Sequence, residues 1–270
     1  MHDLSNMSLV FAIFFLAGLI KGVIGLGLPT ISLGLLTVFL DLPSAMVLLL
    51  APSLATNIWQ AFIGGKFIEL LKRLWPFLLF ASMFVGLGGL AIIYVENYIL
   101  TSLLGILLIL YGLISLCGFR TSLSGKQQIW FGPLIGAMNG ILTGMTGSFV
   151  VPGVMYLQGI GLSRDMLVQA MGMLFSLSTF ALAITLGSMT LGDINHEGNN
   201  LLRTELGILS FLALLPATIG MILGQKIRHQ LSENVFRQLF FIALLILGSF
   251  ILCRTFFNHE FLWHTLSIHL

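Results

Sequence analysis

Charged residues are scarce in this chain: of 270 residues, 8% are charged and 57% are hydrophobic. An ordinary soluble domain carries roughly 25% charged residues, so this chain lacks the polar groups that would cover a water-facing surface. Long stretches contain no Asp, Glu, Lys or Arg, namely 44–63, 75–94, 98–117, 166–187, 206–224 and 238–253. Most reach the roughly 18–20 residues that a helix needs to cross a ~30 Å hydrocarbon core. Because backbone groups in lipid must pair internally, the sequence predicts an all-α polytopic membrane protein.

Other absences exclude whole classes of function. The only two cysteines, Cys117 and Cys253, occupy repeat-equivalent positions near helix ends, which favours apolar filler over a disulfide. No Walker loop, catalytic triad or metal-ligand spacing occurs, so we predict no cofactor and no metal site. The predicted spans offer Ser and Thr but no His, Asp or Glu, which disfavours an intramembrane enzyme. A net charge of +2 indicates no nucleic-acid surface.

What the sequence does contain is an internal repeat. Residues 18–22 (GLIKG) match 136–140 (GAMNG) at an offset of 118, and residues 42–46 match 162–166 at an offset of 120. Each half therefore has a Gly/Pro-broken helical hairpin followed by three transmembrane helices. The first repeat, 1–125, has its hairpin at 8–40 and its spans at 44–63, 75–94 and 98–118. The second, 126–256, has its hairpin at 129–160 and its spans at 166–187, 206–225 and 236–253, and 257–270 is a C-terminal tail.

Charge in the loops decides how each half enters the membrane. A straight helix over 8–40 would measure about 50 Å, too long for one crossing, whereas a chain folded back at 22–29 gives two arms of about 20 Å. With hairpins, the Lys and Arg residues outside the helices divide nine to two between the faces: Lys66, Lys72, Arg73, Arg120, Lys126, Arg164, Lys226, Arg228 and Arg237 against Arg203 and Arg254. With single crossings they divide seven to four. The positive-inside rule favours hairpins, hence inverted-topology repeats with both termini periplasmic.

The two breaks are the candidate binding site. A helix that starts after such a break directs free N–H groups and the positive end of its dipole into the gap, which favours an anion near the midplane. The alternative is that the glycines only permit close helix packing. The first break supplies Gly22, Gly25, Gly27 and Thr30, ahead of or just after Pro29. The second break supplies Asn139, Thr143, Gly144, Thr146, Gly147 and Ser148, ahead of Pro152.

Lys21 is the one ionisable residue in the central part of a hydrophobic segment. A charge there is costly unless water or a counter-charge meets it. Three interpretations stay open: the side chain extends to the opposite face, meets an anionic substrate in an aqueous cavity, or donates to carbonyls of the broken helix. Its repeat mate is Asn139, a neutral donor, which suits an asymmetric site. Asn57, Gln60 and Gln169 are weaker candidates, together with Ser176 and Ser178, since each suits an ordinary interhelical hydrogen bond.

The breaks resemble those of a known family, the sulfite exporter TauE/SafE family of bacterial transporters. The resemblance rests on GLIKGVIGLGLP at 18–29 and on GAMNGILTGMTGSFVVPGV at 136–154. It implies a multi-pass protein of the bacterial inner membrane that moves a small anion such as sulfite, thiosulfate or an organosulfonate. Lys21–Pro29 and Asn139–Pro152 are the matching positions. An anion channel and a non-transporting scaffold remain alternatives, and the lipid bilayer is the only other partner predicted, with the oligomeric state undetermined.

Overall fold

The structure, a computed structural model, describes residues 2–118, 125–192, 197–228 and 233–267, and these ranges are helical, without strands. The helices are α1 (His2–Ile24), α2 (Leu28–Leu36), α3 (Leu42–Phe62), α4 (Phe67–Gly89), α5 (Ala91–Tyr94), α6 (Asn97–Leu116), α7 (Gly125–Thr146), α8 (Gly153–Gly159), α9 (Arg164–Gly192), α10 (Glu197–Ile227) and α11 (Glu233–Ser267). Within the described residues, seven segments are long and apolar enough to cross a membrane. The predicted all-helical, multi-pass class is confirmed.

Some predicted boundaries differ from the helices. α11 continues to Ser267, through most of the segment predicted as a tail. α1 has 23 residues and α2 has nine, which correspond to about 35 Å and 14 Å. Within the predicted hairpin, residues 8–24 of α1 correspond to about 25 Å, so the break lies inside the predicted 22–29 but the arms are unequal instead of about 20 Å each, because the helix continues through Gly22 and stops only at Ile24. Gly25 and Gly27 have φ of 89° and 116°, which side chains rarely tolerate, and these residues form the actual first break.

Two helix pairs run parallel and pack closely. A Cβ atom on Gly18 of α1 would lie 2.1 Å from Ala217 O of α10, and one on Gly22 would lie 2.2 Å from Met221 O. The residue numbers rise together, so α1 and α10 are parallel. α4 and α7 are parallel by the same reasoning, since Gly136 approaches Phe77 O at 2.4 Å and Gly144 approaches Val85 O at 2.1 Å. Small residues allow these backbones to approach each other within the membrane.

Two other helix pairs run antiparallel. Gln169 of α9 donates to Ala61 O of α3 at 2.8 Å, and Thr179 Oγ1 lies 3.2 Å from Ser53 Oγ. The numbers rise along α9 as they fall along α3. In α6 and α11, Gly105 lies against Gly248 and Gly112 against Phe241, which again pairs rising with falling numbers. Each antiparallel pair joins corresponding spans of the two predicted repeats.

The α3–α9 pair forms the interior of the bundle. Half of the α3 span and 56% of the α9 span are buried, more than in any other candidate span of the described residues. Large apolar side chains such as Trp75, Phe211 and Phe250 are instead exposed on the outer helices. This distribution suits a bundle whose periphery contacts lipid and whose polar groups turn inward. Arg120, Lys126 and Arg203, which enter the charge count, lie outside the part of the chain described in side-chain detail.

Candidate functional site

Lys21 lies in the last turn of α1, one turn before the first break. Its side chain is 2% exposed, so the interpretation in which it extends to a face of the bundle is wrong. The ammonium nitrogen donates to Thr56 Oγ1 at 3.1 Å and to Asn57 Oδ1, both on α3. An ammonium group has three N–H donors. Two are therefore occupied by neutral oxygens, and the broken-helix carbonyls are not its partners.

The two oxygens are held as acceptors by their own hydrogen bonds. Thr56 donates its hydroxyl proton to Pro52 O at 2.7 Å, which leaves the lone pairs of its oxygen for Lys21. Asn57 Nδ2 donates to Ser53 Oγ at 2.9 Å, which turns Oδ1 toward the lysine. α3 therefore presents a preorganised pair of acceptors to Lys21.

Pro52 shapes α3 just upstream of these acceptors. It lies inside the helix and has no N–H with which to bond Leu48 O. Ser210 of α10 replaces that bond, since its hydroxyl donates to Leu48 O at 2.9 Å and accepts from Ala51 N at 3.1 Å. The backbone groups freed by the proline are thus satisfied within the membrane by a neighbouring helix. α10 in this way contacts both α1 and the part of α3 around Pro52.

No carboxylate neutralises Lys21 among the described residues. The ion pair found there is Lys66–Glu69 at 3.2 Å, on exposed side chains. Hydrogen bonds to neutral oxygens compensate a buried positive charge only in part. A charged Lys21 therefore calls for an anion.

Asn139, the repeat mate of Lys21, is fully buried on α7. Its Oδ1 accepts from Gly153 N at 2.9 Å, at the start of α8. Its Nδ2 is buried and has no hydrogen-bond partner in the described part of the chain. A buried, unsatisfied donor costs about 1–3 kcal/mol. Asn139 is therefore a second donor that lacks an acceptor.

Lys21 and Asn139 lie at the same depth of the α3–α9 pair. Lys21 meets α3 at Thr56 and Asn57. Asn139 meets Gly153, where a Cβ atom would lie 2.9 Å from Leu174 of α9. Leu174 falls between Gly172, which packs on Ala61, and Thr179, which meets Ser53, so it lies beside the 53–61 stretch of α3. The structure thus places the two repeat mates at one level.

The breaks themselves lie at different levels. Gly25 O accepts from Gln60 Nε2 at 2.9 Å, near the end of α3, whereas a Cβ atom on Gly147 would lie 2.9 Å from Met46 near its beginning. Gln60 and Met46 are 14 residues apart, or about 21 Å along a helix. The prediction that the two break tips face each other near the midplane is therefore wrong. Because the long arms cross most of the bundle, it is residues before the breaks that share a level.

The hydroxyls of the second break hold the break together. Thr143 donates to Ser148 O at 3.1 Å, Thr146 donates to Leu142 O at 2.7 Å, and Ser148 N donates to Thr146 Oγ1 at 3.2 Å. The Thr143 and Thr146 side chains are buried and bound to the backbone of their own segment, whereas Ser148 takes part through its backbone N and O. Thr30 Oγ1, in the first turn of α2, is buried without a hydrogen-bond partner in the described residues. Thr30 thus keeps unused hydrogen-bonding capacity.

Four other predicted residues serve helix packing. Gly22 and Gly144 lie within α1 and α7 at the close contacts with α10 and α4 described above. Gln60 joins the first break to α9, since it also donates to Val168 O at 2.7 Å. Gln169 donates to Ala61 O and accepts from Lys66 N at 3.2 Å. Gly22 and Gly144 thus match the interpretation that glycines permit close helix packing. Gln60 and Gln169 match the interpretation that they make ordinary interhelical hydrogen bonds.

Three polar residues near Lys21 were not predicted: Thr56, which contacts the lysine, Ser53, which contacts Asn57, and Thr179, which contacts Ser53. Ser178 was named only as a weak candidate, yet its hydroxyl is buried without a partner in the described chain, one residue before Thr179. Thr56 lies beside Asn57, and Ser53 lies one turn before it. Ser53 precedes Thr56 by three residues and Asn57 by four, which places the three polar side chains on one face of a helix. This spacing is the signal that the sequence offered.

The comparisons with known proteins agree with the motifs at the breaks. Neither the curated proteins nor the solved structures contain a match to this chain. Residues 10–251 match the family described as sulfite exporter TauE/SafE, a family of membrane transporters. This match covers nearly the whole chain, including both breaks, Lys21 and Asn139. The chain belongs to the sulfite exporter TauE/SafE family.

Proposed function

We propose that this chain is a secondary transporter that carries a small, sulfur-containing anion across the bacterial inner membrane. The anion binds in the middle of the α3–α9 pair, between Lys21 and Asn139. The observation that carries the proposal is the shared depth of two buried donors, the third N–H of Lys21 and the amide of Asn139, neither with a described acceptor. Sulfite, thiosulfate and sulfonates all present several acceptor oxygens around a compact negative charge. Such an anion satisfies both donors and compensates the lysine.

The proposal includes an inverted repeat, an architecture common among transporters that work by alternating access. Corresponding spans α3 and α9 are antiparallel, as are α6 and α11, which is the relation that an inverted repeat requires. The antiparallel pairs support a hairpin at 129–160, since a single crossing there would make α3 and α9 parallel. With that hairpin in place, the parallel packing of α1 on α10 supports the hairpin at 8–40, since a single crossing by 8–40 would make this pair antiparallel. With the nine-to-two charge division, both termini lie on the periplasmic side.

Counterflow in liposomes tests the proposal. Purified protein is reconstituted with unlabelled sulfite inside, and uptake of labelled sulfite is followed as its concentration is raised. We expect saturable uptake that unlabelled internal sulfite accelerates. Lys21→Met should reduce it by about tenfold to a hundredfold, because a hydrogen bond to a charged group contributes about 1.5–3 kcal/mol. Lys72→Met, on the exposed face of α4, is the matched control and should behave as wild type.

Three results would contradict the proposal in different ways. Undiminished flux in Lys21→Met at unchanged expression removes Lys21 from the site. Flux that neither saturates nor shows counterflow identifies an anion channel. Wild-type liposomes that pass no sulfite, thiosulfate or sulfonate favour a non-transporting scaffold.

A further inference from the structure

We propose that Lys21 is also the proton-binding site of the transporter, so that each anion is bound together with one proton. The amine is neutral when the site is empty and becomes an ammonium when an anion arrives. This inference rests on the proposed function, since it assigns a coupling ion to the same site.

The number and kind of partners around Lys21 support two protonation states. A neutral amine has two N–H donors and a lone pair, while an ammonium has three N–H donors. The described partners are two fixed acceptors, Thr56 Oγ1 and Asn57 Oδ1. They satisfy both N–H donors of the neutral amine and leave one N–H of the ammonium free. The same pocket therefore holds either form without rearrangement, and only the charged form needs an anion.

The surroundings supply no other charge that would hold Lys21 protonated. α2 and α3 contain no titratable residue between Leu28 and Leu36 or between Leu42 and Phe62. On the other helices near α1, the titratable side chains described lie toward the ends of the candidate membrane spans: Glu205 and Lys226 on α10, Arg237, Cys253 and Arg254 on α11, and Arg164 and Asp165 on α9. A buried ammonium with neutral neighbours alone is strongly disfavoured. The anion is thus the only counter-charge that the site receives.

Linkage makes this coupling reciprocal. If the anion favours protonation of Lys21, the proton favours binding of the anion by the same factor. The balance is one neutral amine, one proton and one anion combining to an ammonium–anion pair, with no bond formed or broken apart from N–H. A monovalent anion then moves without net charge, and a divalent anion moves one negative charge.

A pH gradient should consequently drive accumulation of the anion. With the membrane potential clamped at zero by potassium and valinomycin, one-to-one coupling requires the anion ratio to equal the inverse proton ratio. One pH unit is equivalent to about 1.4 kcal/mol and gives about tenfold accumulation on the alkaline side. A carrier without proton coupling gives none.

The decisive experiment uses thiosulfate, whose negative charge does not titrate near neutral pH and so brings no proton itself. Wild-type proteoliposomes with an internal pH dye should acidify as labelled thiosulfate enters, with about one proton per anion, a ratio set by the single amine. An imposed gradient of one pH unit should concentrate thiosulfate about tenfold. Counterflow at equal pH should proceed without any pH change.

The Lys21→Arg variant tests proton coupling separately from anion binding. A guanidinium stays charged, so it can still bind thiosulfate but cannot release its proton. We expect this variant to retain counterflow within about tenfold of wild type and to lose accumulation driven by the pH gradient. Lys72→Arg, on the exposed face, should keep both.

The outcomes distinguish the two proposals. Wild-type counterflow without proton movement overturns the coupling and leaves the transporter assignment intact. Full pH-driven accumulation by Lys21→Arg also overturns it. Absence of wild-type counterflow overturns the proposed function itself. If Lys21→Arg does not fold, as judged by gel filtration in detergent, the wild-type proton measurement alone decides.

Discussion

Asn57→Asp is the substitution that most directly tests whether Lys21 serves an anion electrostatically. It keeps the shape of the side chain and an acceptor oxygen in contact with the ammonium, and it adds one negative charge. Asn57→Leu is the matched neutral variant, of similar volume, which removes the acceptor and the donor to Ser53. If Asn57 matters only for packing and hydrogen bonding, the leucine is the more damaging change. If the site is built for an anion, the aspartate is.

The magnitude follows from the geometry. Two unit charges about 4 Å apart interact with about 4 kcal/mol at an effective dielectric constant of about 20. An aspartate at position 57 would therefore neutralise Lys21 and cancel most of the attraction between Lys21 and an incoming anion. Losing even half, about 2 kcal/mol, weakens anion binding by about thirtyfold. Asn57→Leu instead loses the hydrogen bonds to Lys21 and Ser53, each worth about 0.5–1.5 kcal/mol, and this loss lowers the stability of the folded protein itself.

Two measurements on the same preparations are needed. Counterflow should give a KM for sulfite that rises about thirtyfold in Asn57→Asp and only a few-fold in Asn57→Leu. Thermal unfolding in detergent should give the opposite order, with Asn57→Leu melting at the lower temperature. An Asn57→Asp protein with a wild-type KM would refute the electrostatic reasoning. So would a leucine variant that loses more anion affinity than the aspartate variant.

Three further predictions concern packing, the second half and topology. Gly144→Ala places a Cβ atom 2.1 Å from Val85 O and should destabilise the protein by about 1–3 kcal/mol in detergent melts, whereas Gly187→Ala, which meets nothing within 4 Å, should not; equal melting temperatures would contradict the close contact. Asn139→Asp keeps an acceptor for Gly153 N but adds negative charge, so sulfite affinity should fall about tenfold or more, and unchanged affinity would remove Asn139 from the site. In a background without native cysteines, Lys72→Cys should react with impermeant maleimide from the cytoplasm and Glu96→Cys from the periplasm, and the reverse pattern would invert the topology.

The membrane class and the family could be predicted from the sequence because both rest on local patterns. Charge-free stretches give the spans directly. The level of the breaks could not be predicted, because a glycine that lets two helices approach looks the same as one that ends a helix. Gly18 and Gly22, four residues apart, pack on α10, while Gly25 and Gly27 adopt positive φ. Both functions need a residue without Cβ, and only the position of the partner helix distinguishes a packing glycine from one that ends a helix.

The partners of Lys21 show a second limit of sequence reasoning. Its position in the central part of an apolar segment and the lack of a carboxylate in the predicted spans are visible in the sequence, so Lys21 itself was identified. Thr56 was not, because a threonine that donates to the carbonyl four residues earlier is ordinary in membrane helices. Its second function, as an acceptor for the lysine, depends on how α1 packs against α3. That information lies in tertiary structure alone.

The same offsets that relate the halves make the site asymmetric. The offset of 118 relates Lys21 to Asn139, and the offset of 120 relates Thr56 to Ser176 and Asn57 to Leu177. Thr56 and Ser176 each donate to the carbonyl four residues earlier at 2.7 Å, so the frame is conserved between the halves at this position. The charge of Lys21 and the amide acceptor of Asn57 are present in the first half only. In the proposed inverted repeat, a lysine at the depth shared with its mate would lie equally far from both membrane faces. We infer that a single charged residue can then serve the anion and its proton from whichever side is open, and a second lysine at position 139 would only add repulsion.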